Sequence, residues 1–220
     1  MDISKRDIDY SLYVIIDQEC IRDRDPARLT EEIISGGATL IQYRNKSGCG
    51  MQFFNQAGRI HHISQSHHVP LIINDRVDIA MAIGAEGVHL GQEDIPVFSA
   101  RRMMGSDACI GLSVSHVSDL NFVKDSDYLG VGAMFPTQTK MDAEYGGVQL
   151  IKQVRAKCGL PLVGIGGINE NNCNRVLQAG ADGVAVISAV MCAENPASAV
   201  RQIKHAIQQT RQELSNASIL

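Results

Sequence analysis

The residues most able to do chemistry in this chain sit where short apolar runs end. Tyr128 to Gly132 is followed by Met134-Phe-Pro-Thr-Gln-Thr-Lys140, which brings two hydroxyls and an ammonium together. Leu71 to Asn74 runs into Asp75 and Arg76, and Gly87 to Leu90 into Gly91-Gln-Glu-Asp94. Gln42-Tyr-Arg44-Asn-Lys46 closes another run, and alternation along an extended chain puts Gln42, Arg44 and Lys46 on one side. Arginine offers a planar fork to paired phosphate oxygens and lysine a compact charge, so Arg44, Lys46, Lys140, Thr137 and Thr139 suit a phosphorylated ligand. If they follow neighbouring strands, about 5 Å apart, Asp75 and Asp94 can reach one ion between them. Mg²⁺ is commonly held by one or two carboxylates, with waters and substrate phosphates completing the shell. The competing reading is that each aspartate caps the helix that follows it. Gly164-Ile-Gly-Gly167-Ile168 and Val186-Ile187-Ser188 complete the set, because glycines let backbone amides approach a phosphate closely.

The elements that must position these groups alternate along the chain. Strands are expected at Leu12–Asp17, Thr39–Tyr43, Leu71–Asn74, Gly87–Leu90, Cys109–Ser113, Tyr128–Gly132, Pro161–Ile165 and Gly183–Ile187. Most are continuous Val/Ile/Leu runs, as in strands buried on both faces. Helices are expected at Pro26–Ser35, Met51–His67, Arg76–Ile83, Ile95–Met104, Val117–Lys124, Gly147–Lys157, Asn171–Ala179 and Pro196–Leu214. An internal echo marks the helix-to-strand joints: Gly36-Gly-Ala-Thr39, Gly84-Ala-Glu86 and Gly180-Ala-Asp182. Eight such units without a linker predict an α/β fold, a single (β/α)8 TIM barrel spanning residues 1–220. Polar extensions are expected at about 1–10 and about 209–220. A doubly wound open sheet is the alternative, but it offers one switch point, whereas polar clusters here follow at least five strands.

Bulk properties narrow the function. The chain has 220 residues, 45% hydrophobic, with net charge −4, and a pI near 5.9. It has no basic tract and only 5% aromatic residues, so a nucleic-acid partner is not expected. No apolar run approaches the roughly 20 residues that span a bilayer, and residues 1–9 carry no signal-peptide core. The six cysteines form no C-x-x-C pair and read as free thiols of a cytoplasmic protein. His61, His62, His67 and His68 read as a solvated helix face, and His89 as a core histidine with a pocket role as the alternative. The oligomeric state is open, a homo-oligomer included.

Taken together the chain resembles the thiamine phosphate synthase (thiamine-phosphate pyrophosphorylase) family. The matching runs are Gln42-Tyr-Arg-Asn-Lys46, Ile72-Ile-Asn-Asp-Arg-Val-Asp-Ile-Ala80, Gly87-Val-His-Leu-Gly-Gln-Glu-Asp94, Ile110-Gly-Leu-Ser113, Phe135-Pro-Thr-Gln-Thr-Lys140, Gly164-Ile-Gly-Gly-Ile168 and Val186-Ile-Ser188. They occur in the family order over about residues 12–205. The resemblance implies a Mg²⁺-dependent transferase with two phosphorylated substrates. It would join hydroxymethylpyrimidine diphosphate to hydroxyethylthiazole phosphate, giving thiamine phosphate and pyrophosphate. By the same resemblance Gln42, Tyr43, Arg44, Asn45, Lys46, Asn74, Ser113 and Lys140 bind the pyrimidine diphosphate, with Arg44, Lys46 and Lys140 catalytic. Thr137, Gln138, Thr139, Gly167, Ile187 and Ser188 bind the thiazole phosphate, and Asp75 and Asp94 hold the Mg²⁺. The chain departs from the family pattern at Tyr43, often leucine, at Gln138, often smaller or proline, and at Ser115-His116, where the histidine comes one position late. Alternatives are a thiazole tautomerase or regulatory paralogue of the same barrel, and a sugar-phosphate isomerase or epimerase. The first would be expected to lose the diphosphate and metal residues, and the second needs an acid/base pair that the sequence does not display.

Overall fold

The computed structural model describes residues 4–137 and 146–217. Eight parallel strands run in sequence order around a closed barrel: β1 (Leu12–Asp17), β2 (Leu40–Arg44), β3 (Leu71–Asn74), β4 (Gly87–Leu90), β5 (Cys109–Val114), β6 (Tyr128–Val131), β7 (Leu162–Ile165) and β8 (Gly183–Val186). Between them lie α1 (Gln18–Ile21), α2 (Pro26–Gly36), α3 (Gly50–Ser66), α4 (Val77–Ile83), α5 (Val97–Met104), α6 (Gly147–Arg155), α7 (Cys173–Gln178), α8 (Ser188–Met191) and α9 (Pro196–Ala217). The expected α/β barrel is therefore the observed one, and the strands fall within a residue or so of their expected limits.

The strands are apolar throughout because each has two buried faces. Along β1, Leu12, Val14 and Ile16 pack into the layer shared with the helices, while Tyr13 and Ile15 point into the barrel with Leu40, Ile72, Tyr128 and Val163. Helix ends follow local chemistry. Asp25 accepts from the Ala27 amide ahead of Pro26, and Gly37 closes α2 in the left-handed region at φ 101°.

Three expectations differ. Val117–Phe122 is a 3₁₀ stretch rather than an α-helix. Asp119 accepts from the Ser115 and His116 amides at 2.8 and 2.9 Å, which draws the chain into tight turns. The polar stretch expected as a tail from about 209 continues α9 to Ala217. Thr210 extends the buried stripe of Val200, Ile203 and Ile207, and its hydroxyl donates to the Ala206 carbonyl. The short α1 and α8 were not expected; four residues are too few to carry a periodic signal.

The echo at the helix-to-strand joints has a structural cause. Before each even-numbered strand, one side chain accepts from the first free amide of the preceding odd strand. Thr39 Oγ1 accepts from Leu12 at 3.0 Å, Glu86 from Leu71 at 2.8 Å, Asp127 from Ile110 at 2.8 Å and Asp182 from Leu162 at 2.7 Å. Each acid has a basic neighbour: His61 for Glu86, Lys5 and Arg101 for Asp127, and Arg155 for Asp182. These clamps close the rim where the strands begin, and Ile8 plugs it from below. The opposite rim is left for chemistry.

Candidate active site

At the strand C-termini a cavity of about 200 Å³ opens between the loops. It is lined by residues from every quarter of the barrel, among them Gln42, Arg44, Lys46, Asn74, Asp75, Asp94, Ser113, Thr137, Gly167, Ile187 and Ser188. Alternation does most of this placement. Gln42 and Arg44 follow the inward register of Leu40, and Lys46 continues it beyond the strand.

Charge is concentrated on the β1–β4 side. Asp17, only 1% exposed at the end of β1, pairs with Arg44 Nη1, while its Oδ1 accepts from the Glu19 amide at 2.9 Å and starts α1. Lys46 Nζ lies 2.6 Å from Asp75 Oδ2. Asp75 takes up φ 61°, a left-handed conformation that aspartate tolerates better than most residues. Asp94 Oδ2 accepts from the Gly91 amide at 2.6 Å. Neither carboxylate caps the following helix: α4 begins after Arg76 and α5 after Pro96, both without a side-chain cap. Burial pushes the Asp94 carboxyl above its ordinary value and the adjacent Asp75 adds to this, while the Gly91 amide and Lys46 pull it back.

This donor set fits a hard divalent cation. Two neighbouring carboxylates repel, and here Lys46 is the cation that relieves them. Among the described residues no group of three or more His, Cys, Asp or Glu could hold a metal. Two carboxylates with oxygen ligands from substrate and water suit Mg²⁺ rather than a closed structural site.

Beneath the charged side lies a polar ladder. Gln42 Nε2 donates to Tyr13 Oη at 2.7 Å, Tyr13 Oη meets Tyr128 Oη at 2.9 Å, and Tyr128 Oη meets His89 Nδ1 at 2.9 Å. His89 Nε2 in turn lies 3.0 Å from Ser113 Oγ. His89 is thus both a buried, bonded histidine and a wall of the cavity.

Across the cavity, Gly166 and Gly167 sit at φ 99° and 64°. A Cβ on Gly167 would come within 2.6 Å of the Pro136 carbonyl oxygen, so only glycine lets this turn close on the β6 loop. Thr137, Ile187 and Ser188 complete that side. Gln138, Thr139 and Lys140 lie outside the described residues.

Two expected contacts do not line the cavity. The Tyr43 ring turns outward, packs edge-on against Phe53 at 5.1 Å, and donates from its hydroxyl to Gln18 Oε1 at 2.9 Å. Asn45 Oδ1 accepts from the Gly48 amide at 2.8 Å and shapes the loop instead. Both occupy the outward phase of the alternation that sends Gln42, Arg44 and Lys46 inward. His61, expected on a solvated face, is buried beside Glu86 with Nε2 3.4 Å from its carboxylate; His62, His67 and His68 are exposed. Sequence reasoning missed Asp17, Tyr13 and Tyr128. Asp17 carried a signal, a carboxylate closing an apolar run, whereas the tyrosines look like ordinary core.

The arrangement gathers cations and a carboxylate pair on one side and a glycine-lined pocket on the other, which suits two anionic groups held apart. Known proteins resemble this chain along most of its length. A family model described as thiamine monophosphate synthase matches residues 12–190. A thiamine-phosphate synthase of Clostridium acetobutylicum is 41% identical over 191 residues, 86% of this chain and 90% of the relative. One from Chloroflexus aurantiacus is 42% identical over 209 residues, 94% and 96% of the two chains. The solved thiamine phosphate pyrophosphorylase of Pyrococcus furiosus superposes with a TM-score of 0.84 at 33% identity, covering 92% of this chain and 98% of that one.

Proposed function

The chain belongs to the thiamine monophosphate synthase family, and we infer that it is a transferase of thiamine biosynthesis. It condenses hydroxymethylpyrimidine diphosphate with hydroxyethylthiazole phosphate. The bond between the pyrimidine methylene and the diphosphate oxygen breaks, its electron pair leaving with pyrophosphate. The thiazole nitrogen gives its lone pair to the methylene carbon, forming the C–N bond of thiamine phosphate. An electron-rich aminopyrimidine can carry positive charge on that carbon, and the nitrogen needs no deprotonation, so no general base is required.

The observation that carries the finer reading is the meeting of Arg44, Lys46, Asp75 and Asp94 on one side of the cavity. Arg44 and Lys46 bind the diphosphate, and their attraction grows as charge accumulates on the leaving group, so they act more on the transition state than on the ground state. Asp75 and Asp94 are the residues that would hold Mg²⁺, which would supply further charge neutralisation to the departing pyrophosphate. Lys140 is assigned to the same group by family resemblance. Gln42, Asn74 and Ser113 orient the pyrimidine. Gly167, Ile187, Ser188 and Thr137 receive the thiazole phosphate, with Gln138 and Thr139 assigned by resemblance. The reading includes a cytoplasmic location, supported by six unpaired cysteines. Among the described residues no helix is long and apolar enough to cross a membrane.

The test is an assay with both phosphorylated substrates, with and without Mg²⁺, detecting thiamine phosphate and pyrophosphate in equal amounts. Pyrophosphate released without coupled product would contradict the transfer.

A further inference from the structure

The hydrogen-bond ladder under the cavity has a direction. We propose that Tyr128, held by Tyr13, is a positioning residue that fixes His89 as the tautomer protonated at Nε2, so that Ser113 presents its hydroxyl hydrogen to the substrate. This rests on the reading above that Ser113 contacts the pyrimidine diphosphate.

Counting protons from Gln42 gives the direction. Its amide nitrogen can only donate, and it lies 2.7 Å from Tyr13 Oη. Tyr13 is 2% exposed and has one hydroxyl proton, for which Tyr128 Oη at 2.9 Å is the acceptor. Tyr128 therefore gives its own proton to His89 Nδ1, 2.9 Å away. A ring nitrogen that accepts leaves the imidazole proton on Nε2, which then donates to Ser113 Oγ at 3.0 Å. Ser113, which lines the cavity, keeps its own hydrogen to give to a ligand acceptor. The opposite direction would strand the Tyr13 hydroxyl proton in a fully buried place. Burial raises both phenols above their ordinary value, so neither gives up its proton to solvent near neutral pH.

The fold makes room for this ladder. A Cβ on Gly111 of β5 would come within 2.2 Å of Tyr128 Cζ and 2.5 Å of His89 Nδ1. A Cβ on Gly130 of β6 would lie 2.9 Å from His89 Cε1. Two adjacent strands thus lack a side chain where the imidazole and phenol cross the barrel. The consequence is selectivity: the site offers a donor to an acceptor atom of the substrate, and an analogue presenting a donor there meets a hydroxyl turned the wrong way.

The experiment is nitrogen NMR of the full chain labelled in its histidines, near neutral pH and without either substrate, with the His89 signals assigned from His89→Gln. The expected spectrum shows a bare Nδ1 and a protonated Nε2. In Tyr128→Phe those signals shift towards a mixture of tautomers. KM for the pyrimidine diphosphate then rises about tenfold, while kcat changes less than about threefold. Ser113→Ala raises KM similarly, and the double variant adds little to either. Should Tyr128→Phe fail to fold, Tyr13→Phe breaks the same ladder one link earlier. A wild-type His89 protonated at Nδ1, or a Tyr128→Phe spectrum identical to wild type, overturns the proposal. Because the spectrum needs no turnover, it separates this inference from failure of the proposed reaction.

Discussion

Lys46 Nζ lies 2.6 Å from Asp75 Oδ2, so one of the two candidate metal ligands already carries a cation of the protein's own. The lysine side chain is half exposed and can move. In the proposed reaction the ammonium would pass from the carboxylate to the substrate diphosphate. Lys46→Gln is expected to lower kcat/KM for the diphosphate substrate about 100-fold. Mg²⁺ binding to the substrate-free variant should be no weaker than to wild type. Steady-state kinetics and calorimetric titration check the two parts.

Asp17 holds Arg44 from below and starts α1. Asp17→Asn removes the charge that aims the guanidinium, and is expected to raise KM for the diphosphate roughly tenfold or more. Arg44→Lys should not recover the wild-type value, since an ammonium lacks the paired donors of the fork. Initial-rate kinetics on both variants decide this.

Asp94 should trade stability for function. Its folded-state value is raised, so the protonated form favours the folded state, and stability is lost as pH rises through that value. Asp94→Asn removes this cost while its amide oxygen still accepts from Gly91. The variant is expected to melt roughly 2–4 °C higher than wild type at about pH 8. The gap should narrow as pH falls towards the ordinary 3.8, and turnover should drop at least about 100-fold. Thermal melts across pH, without Mg²⁺, provide the check.

His61 is held above its ordinary 6.5 mainly by its hydrogen bond to Glu86. A raised histidine stabilises fully below the unfolded value, and that contribution fades as pH rises through the folded one. Relative to Glu86→Gln, wild type should lose roughly 2 °C of melting temperature between about pH 6 and about pH 8. A constant difference across that range would contradict the pairing.

Much of this was legible in the sequence because a barrel of parallel strands writes itself as repeated apolar runs. Alternation then correctly sent Gln42, Arg44 and Lys46 to one side. The same rule, applied strictly, would have sent Tyr43 and Asn45 outward. The aspartates could be caps or ligands from sequence alone; the starts of α4 and α5 after Arg76 and Pro96 removed the capping reading. What stayed hidden were contacts across the barrel. Asp17 meets Arg44 from a neighbouring strand, Tyr13 and Tyr128 are separated by 115 positions, and Glu86, in the loop before β4, reaches back to His61 on α3. No local period encodes such pairs.

The most direct measurement is thiamine phosphate formation as a function of Mg²⁺ concentration in wild type and Asp75→Asn. The account predicts that wild type is inactive without the ion and saturates with it. Asp75→Asn should stay far below wild type, with excess Mg²⁺ restoring little. Near-wild-type turnover in Asp75→Asn, or full wild-type activity with the ion chelated, would contradict the claim that these two carboxylates bring a cation to the departing pyrophosphate.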